Sequence, residues 1–145
     1  MIRIICLGKI KEQYLIDAIN DYYKRISKYH KIEIIELKDD ENILNEENQI
    51  LKYLDSHDLN IALCIEGKEF TSVDLAELLD KGFVYNSKIN FIIGSSNGLS
   101  DTVKRKCNIN LSFGKVTMPH GLFRVVLLEQ IYRSFKIIND ETYHK

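Results

Sequence analysis

The sequence contains one proline, seven glycines and no tryptophan in 145 residues, which excludes a collagen-like repeat. Its three cysteines, Cys6, Cys64 and Cys107, are far apart and form no Cys-x-x-Cys pair. A disulfide framework and a zinc site are therefore disfavoured, and we expect reduced thiols and no metal. No apolar run approaches the roughly 20 residues of a membrane helix, and the start of the chain lacks signal-peptide features. These absences predict a cytoplasmic protein without a membrane segment.

Net charge is also nearly absent, at −1, but the charges are unevenly distributed. Residues 1–100 carry 12 Lys and Arg against 17 Asp and Glu, a net of −5, whereas residues 101–145 carry 8 against 4, a net of +4. A local basic face can bind phosphate even when the whole molecule is near neutral. On charge alone, a solvated helix face balanced by acidic neighbours is an equal alternative.

Apolar strand-like runs alternate with helical spacing along the whole chain. The strands are predicted over residues 2–7, 31–37, 61–65, 89–93 and 109–113. Helices lie between them; one runs from the Thr71/Asp74 capping pattern to Gly82, and the last covers about residues 120–138. With 45% hydrophobic and 28% charged residues, the sequence predicts one α/β domain over residues 1–145. Its mainly parallel sheet should carry helices on both faces.

Most glycines and the single proline fall in the loops predicted after the last three strands. They are Gly67, Gly94, Gly98, Gly114, Pro119 and Gly121. Because parallel sheets bind ligands outside the carboxyl ends of their strands, we expect a site there. The run Ile92–Ser100 has the order of a phosphate-binding loop, but no Lys-Ser/Thr closes it. This favours a backbone-lined pocket for an adenine or ribose over nucleotide triphosphate hydrolysis.

The C-terminal third holds the remaining chemically versatile side chains. His120 follows the only proline at the mouth of the expected site, and His144 lies in a short tail, Tyr143–Lys145. A terminal tail is ordinarily frayed surface, so on the residues alone His144 has no assigned role. The last predicted helix has apolar positions over more of its circumference than one face needs, which indicates core or an interface with a second copy.

Several motifs in the second half of the chain occur in a recognisable order. They are Leu63-x-Ile65-x-Gly67, Phe91-x-Ile93-Gly94-x-x-x-Gly98-Leu99-Ser100, Leu111-Ser112-Phe113, Thr117-Met118-Pro119-His120, Arg124-Val125, Glu129-Gln130-Ile131-Tyr132-Arg133 and Tyr143-His144-Lys145. In this combination the sequence resembles the RlmH family, the large-subunit ribosomal RNA pseudouridine-N3 methyltransferases of the SPOUT superfamily. One departure is Gly94-Ser95, where the family usually has two consecutive glycines.

The resemblance implies S-adenosyl-L-methionine as cofactor, a homodimer, and a SPOUT-type fold with a C-terminal trefoil knot through which the last segment threads. It implies that the cofactor-binding residues are one residue at each of two strand ends and the residues of one loop. They are Leu63, Gly94, Phe113, Gly114, Lys115, Val116, Thr117 and Met118. It implies catalytic roles for Arg124, Arg133, Tyr143 and His144, and substrate-side roles for His120, Tyr132 and Lys145. The substrate would be a pseudouridine of 23S ribosomal RNA in the ribosome.

The chemistry that the resemblance implies is in-line attack of the pseudouridine N3 on the cofactor's methyl group. The N3 proton is weakly acidic, so a base or a stabilised anion is needed. His144 or a water can take the proton, and Arg124 or Arg133 can stabilise the negative charge. Two other readings stay open: a non-catalytic ribosome-binding or RNA-binding module of the same fold, and a nucleotide-binding regulator of the flavodoxin-like type.

Overall fold

The computed structural model describes residues 1–145 and contains five strands and five helices. The strands are β1 (Ile2–Leu7), β2 (Ile32–Leu37), β3 (Leu59–Glu69), β4 (Ile89–Ile93) and β5 (Ile109–Ser112). The helices are α1 (Gln13–Ser27), α2 (Ile43–Leu51), α3 (Ser72–Tyr85), α4 (Asp101–Lys106) and α5 (His120–Ile138). Strands and helices alternate strictly, as the hydrophobic pattern predicts.

All five strands lie in one sheet in the order β2-β1-β4-β3-β5, and every neighbouring pair is parallel. The predicted parallel sheet is therefore confirmed, and it is wholly rather than mainly parallel. Because the strands are parallel, the segments that follow β3, β4 and β5 emerge at one edge of the sheet. The threading of the C-terminal segment into a knot stays a prediction.

Helices cover both faces of the sheet, as predicted. The larger core contains side chains of α1, α3 and α5 packed on one face of the strands. The smaller core contains Ile50 of α2 and Val103 of α4 packed on Ile5, Ala62 and Ile92 of the other face. Strand β4 is buried along its whole length, which explains why four of its five residues are apolar.

Helix α5 is in contact with both α1 and α3, so most of its apolar side chains belong to the chain's own core. Ile131 and Phe135 are buried there. The broad apolar circumference of the last helix is thus largely explained within one chain, and it gives less reason for a second copy than the sequence pattern indicates. Leu122, near the start of α5, is an exception because it remains 42% exposed.

Two boundaries differ from the prediction by three or more residues, because tertiary contacts override local signals. Helix α3 continues past Gly82 to Tyr85, and Gly82 is buried inside it. A Cβ atom at Gly82 would lie 2.8 Å from Cδ1 of Ile89, so this glycine permits close packing of helix on strand rather than ending the helix. Strand β3 extends to Glu69, so Gly67 lies within the strand and not in a loop after it.

Candidate functional site

A cavity of about 640 Å³ opens at the edge of the sheet where β3, β4 and β5 end. It is lined by 19 residues from three segments of the chain together with α4 and the start of α5. Its volume is in the range of small-molecule and cofactor sites. The sequence predicts a ligand site at this edge, and the cavity lies there.

The first wall comes from an irregular part of β3. The pairing of β3 with β5 shifts between Leu63 and Lys68, so the residues between them bulge away from the ladder. Cys64, Ile65 and Glu66 line the cavity from this bulge. Gly67 closes the bulge, and a Cβ atom there would lie 2.6 Å from the carbonyl oxygen of Asn110. The glycine is therefore required for close backbone contact between the strands.

The second wall is the tight turn that follows β4. The Gly98 N–H donates to the carbonyl of Ser95 at 2.9 Å, and Gly98 has a φ of +71°. A Cβ atom on Gly94 would lie 2.7 Å from both the carbonyl carbon and the oxygen of Gly98. The turn can close in this way only if residue 94 lacks a side chain. Ser95, which departs from the family pattern, lines the cavity as well.

A buried carboxylate of α2 holds this turn in place. Glu46 is 1% exposed and accepts hydrogen bonds from Ser95 Oγ at 2.7 Å and from Asn97 Nδ2 at 3.2 Å. Its second oxygen accepts from the Asp40 N–H at 3.0 Å. Three donors satisfy a carboxylate that would otherwise be costly to bury. No sequence motif points to Glu46, because the polar segment before α2 indicates only a loop and a helix start.

The third wall is the segment between β5 and α5. Ser112 Oγ accepts from the Gly114 N–H at 3.1 Å, and Gly114 has a φ of +114°. The ring of Phe113 packs on that of Phe123 with centroids 5.2 Å apart. The side-chain bond and the ring contact fix the start of this segment, and Pro119 leads it into α5.

Most residues that the resemblance assigns to the cofactor line the cavity. Seven of the eight do so: Leu63, Gly94, Phe113, Gly114, Val116, Thr117 and Met118. Lys115 has an exposed side chain outside the lining, and His120 lies at the mouth with an exposed side chain. Leu63 and Phe113, which are 50 positions apart in sequence, both line this cavity. The fold thus brings distant segments of the predicted cofactor set together.

The C-terminal tail is attached to α5 and is not frayed. Tyr143 OH donates to Glu129 Oε1 at 3.0 Å, and its ring meets that of Tyr132 edge to face at 5.0 Å. The Arg133 guanidinium lies over the Tyr143 ring at 4.8 Å and bonds Glu129. His144 Nδ1 lies 3.2 Å from Nη1 of Arg133. Four of the predicted catalytic and substrate residues therefore form one cluster, the tail cluster: Tyr132, Arg133, Tyr143 and His144.

Two groups in the tail cluster have defined donor or acceptor roles. Burial, followed by the bond to Glu129, raises the pKa of Tyr143 to about 12, so the phenol stays protonated and serves as a donor. An arginine can only donate, so His144 Nδ1 accepts from Arg133 and a neutral ring carries its proton on Nε2. His144 can take a proton at Nδ1 only after it leaves Arg133.

Arg124 is separated from the tail cluster and is committed to other contacts. It is 2% exposed, donates from Nη1 to Glu36 Oε2 at 2.6 Å and from Nη2 to the Gly8 carbonyl at 3.2 Å. These bonds join α5 to the carboxyl ends of β1 and β2. In this structure the guanidinium is not directed into the cavity, since Arg124 is not among the lining residues.

The tail cluster lies outside the cavity of its own chain, since none of its residues is among those that line the cavity. Phe123 is the last residue of α5 in the lining, and Glu129 and Arg133 follow six and ten positions later. At about 1.5 Å of rise per residue, these positions are roughly 9 and 15 Å further along the helix. Within one chain, the predicted cofactor residues and the tail cluster are therefore separate groups.

Two cysteines are protonated, and the acidic residues form no metal-binding group. Burial raises the pKa of Cys64 and Cys107, the latter to about 12, so both are thiols at neutral pH. No group of three or more His, Cys, Asp or Glu side chains is arranged to hold a metal ion. None of the helices combines the length and the apolar character that crossing a membrane requires.

Comparison with known proteins identifies close relatives over the full length. A family model described as a predicted SPOUT methyltransferase matches residues 1–144. A protein of Clostridium botulinum named "Ribosomal RNA large subunit methyltransferase H" is 46% identical over 157 residues, covering 99% of each chain. A protein of the same name from Caldicellulosiruptor saccharolyticus is 43% identical over 154 residues, covering 100% of each chain.

Solved structures of low sequence identity share the fold. One is described as a probable methylase family protein from Haemophilus influenzae; it is 14% identical, with a TM-score of 0.57, over 99% of this chain and 70% of that one. Another is the SpoU methyltransferase AviRb of Streptomyces viridochromogenes in complex with AdoMet, 8% identical, with a TM-score of 0.51, over 92% and 57% of the two chains. Together with the family match, the fold and the cavity show that this chain belongs to the SPOUT methyltransferase family.

Proposed function

We propose that this protein transfers the methyl group of S-adenosyl-L-methionine to N3 of a pseudouridine in 23S ribosomal RNA. The observation that carries the proposal is full-length identity of 43% and 46% to relatives named as ribosomal RNA large subunit methyltransferases. The cavity at the sheet edge supports it, because seven predicted cofactor residues line it. A protein that modifies ribosomes acts where ribosomes are, so the proposed location is the cytoplasm.

The residues of the cavity fit S-adenosylmethionine. Apolar side chains from all three walls can enclose an adenine, and exposed backbone near Gly94, Gly98 and Gly114 can bond a ribose or a base edge. No Cβ position at Gly98 or Gly114 meets another atom within 4 Å, so open space adjoins the backbone there. When bound, the cofactor supplies an activated methyl group. Leu63, Gly94 and the segment 113–118 are the proposed residues that hold it.

The tail cluster is the proposed substrate side of the site. Arg133 is a permanent cation that can stabilise negative charge on the carbonyls beside the target nitrogen. His144 can take the N3 proton once Nδ1 is free of Arg133, and the exposed Lys145 can meet a phosphate of the RNA. Tyr143 offers a ring for stacking on an extruded base. We assign Arg124 to the support of α5, because its buried guanidinium is bonded to Glu36 and to the Gly8 carbonyl.

We further propose that the site is completed by a second copy of the chain. No residue of the tail cluster lines the cavity of its own chain, and Glu129 and Arg133 lie roughly 9 and 15 Å further along α5 than Phe123, the last lining residue of that helix. Two apolar side chains of the cavity lining are exposed, Ile65 at 45% and Val116 at 74%, and Leu122 at the start of α5 is 42% exposed. A homodimer can cover this surface and bring the partner's tail to the cavity. In this arrangement residues 1–145 act as one domain of each subunit.

Methyl transfer to ribosomes tests the proposed reaction. Ribosomes from a strain that lacks the modification are incubated with the protein and radiolabelled S-adenosylmethionine, and the large-subunit RNA is digested to nucleosides. We expect label in 3-methylpseudouridine and in no other nucleoside. Cofactor binding without transfer would favour the alternative, a non-catalytic ribosome-binding or RNA-binding module of the same fold. Absence of cofactor binding would contradict both the methyltransferase and the non-catalytic module, and the nucleotide-binding regulator would be the remaining hypothesis.

A further inference from the structure

Two opposite charges stand side by side in the wall of the cavity. Apart from the imidazole of His120, Glu66 and Lys104 are the titratable charged side chains among the 19 lining residues. Lys104 Nζ donates a hydrogen bond to Glu66 Oε1. Glu66 belongs to the bulge of β3 and Lys104 to α4, so the pair joins two different walls. No sequence motif combines these two residues, which are 38 positions apart.

Both members of the pair are charged and accessible. The hydrogen bond from Lys104 is the main cause that lowers the pKa of Glu66, and the same bond raises the pKa of Lys104. The Glu66 side chain is 61% exposed and that of Lys104 is 22% exposed. A half-exposed ion pair adds little to folding stability. Because the pair lies in the cavity wall, its position favours a role in ligand binding over a role in folding stability.

The cofactor has one region whose charges match this pair. Its methionyl end carries an α-ammonium and an α-carboxylate, which together form a zwitterion. An adjacent cation and anion complement both charges of a zwitterion, whereas an uncharged adenine can form only hydrogen bonds with them. Charge-assisted hydrogen bonds of this kind are about twice as strong as neutral ones. The rest of the lining is apolar or hydroxyl-bearing side chains and backbone, apart from the Cys64 thiol and the His120 ring.

We propose that Lys104 and Glu66 form the subsite for the amino-acid end of S-adenosylmethionine. The Lys104 ammonium binds the α-carboxylate, and the Glu66 carboxylate binds the α-ammonium. The pair thereby determines which end of the cofactor lies against α4. This assignment rests on the proposed function, since it takes the cofactor from there.

Calorimetry with two ligands tests the assignment. S-adenosylhomocysteine carries the amino-acid end, and 5′-methylthioadenosine has the same nucleoside without it. In Lys104→Met and in Glu66→Gln, we expect the Kd for S-adenosylhomocysteine to rise about tenfold or more and the Kd for methylthioadenosine to change less than about twofold. Lys104→Arg keeps the charge and should recover most of the affinity. Lys106→Met and Glu77→Gln are matched controls, because both side chains are exposed and outside the cavity.

The outcomes separate this inference from the proposed function. If the wild-type protein binds S-adenosylhomocysteine and both variants bind it equally well, the subsite assignment is overturned and the proposed function stands. Equal weakening of both ligands also overturns it, because the pair would then only shape the cavity. If the wild-type protein binds neither ligand, the proposed function fails, and this inference fails with it.

Discussion

Replacement of Gly94 by valine is expected to abolish binding of S-adenosylmethionine while the protein stays folded. The Cβ atom at this position would lie 2.7 Å from the backbone of Gly98, closer than real Cβ contacts allow. The turn after β4 must then open, although Glu46 holds it through Ser95 and Asn97. A glycine beside a ligand usually lets the ligand approach the backbone, so a Cβ atom at residue 94 is also expected to take space from the cofactor. In the structure, however, this Cβ atom clashes first with the backbone of the turn.

Isothermal titration calorimetry measures this effect, and circular dichroism and the melting temperature report on the fold. We expect the affinity of Gly94→Val for the cofactor to fall at least about 100-fold, which is about 2.7 kcal/mol. Ser87→Val is the control, since it introduces valine at an exposed position just before the first residue of β4. Glu46→Gln should weaken binding less, because it loosens the turn without filling it. Unchanged affinity in Gly94→Val would move the cofactor site elsewhere.

Deletion of residues 143–145 is expected to lower ribosome methylation at least about tenfold, a loss of about 1.4 kcal/mol of transition-state stabilisation. The deletion removes the proposed proton acceptor, stacking ring and terminal cation. Cofactor affinity should be nearly unchanged, because no tail residue lines the cavity. A frayed tail would leave the melting temperature unchanged, but Tyr143 packs on Tyr132 and bonds Glu129. We therefore expect a stability loss of about 1 to 2 kcal/mol.

A single substitution separates chemistry from stability in the tail. His144 is exposed and bonded to Arg133, so His144→Ala should keep the melting temperature and still lower methyl transfer at least about tenfold. His57→Ala, which removes another exposed histidine, is the control. If both His144→Ala and the tail deletion keep wild-type turnover, the tail has no catalytic role. The proton acceptor would then be sought at His120, which lies at the cavity mouth.

The alternation of apolar runs was sufficient to predict the order of elements and the edge at which the cavity lies. It could not predict Gly82 within α3 or Gly67 within β3, because a glycine that permits close packing has the same letter as one that ends an element. The order of the strands also depends on tertiary contacts: β5 pairs with β3 and not with its sequence neighbour β4. Local patterns contain no information about such a partner.

The site shows the same limits. Residues of the family motifs reach the cavity as predicted, but the motifs do not reveal that Glu46 supports the turn at Ser95 or that Lys104 meets Glu66. These contacts join segments about 40 to 50 residues apart, so only the folded chain brings them together. Arg124 illustrates the opposite case: a motif implies catalysis, but the motif does not reveal that the side chain is buried and bonded to Glu36. Its catalytic role stays a prediction.

The activity of a mixed dimer tests most directly whether the cavity of one chain acts with the tail of its partner. A chain with Gly94→Val and a chain without residues 143–145 are co-expressed with different tags, and dimers that carry both tags are purified. If the cavity of one chain acts with the tail of its partner, one of the two sites is intact, and we expect about half of wild-type methyl transfer per dimer. Each variant alone should be nearly inactive. A mixed dimer as inactive as the two single-variant dimers would contradict a site shared between chains, because each site would then need the cavity and the tail of the same chain.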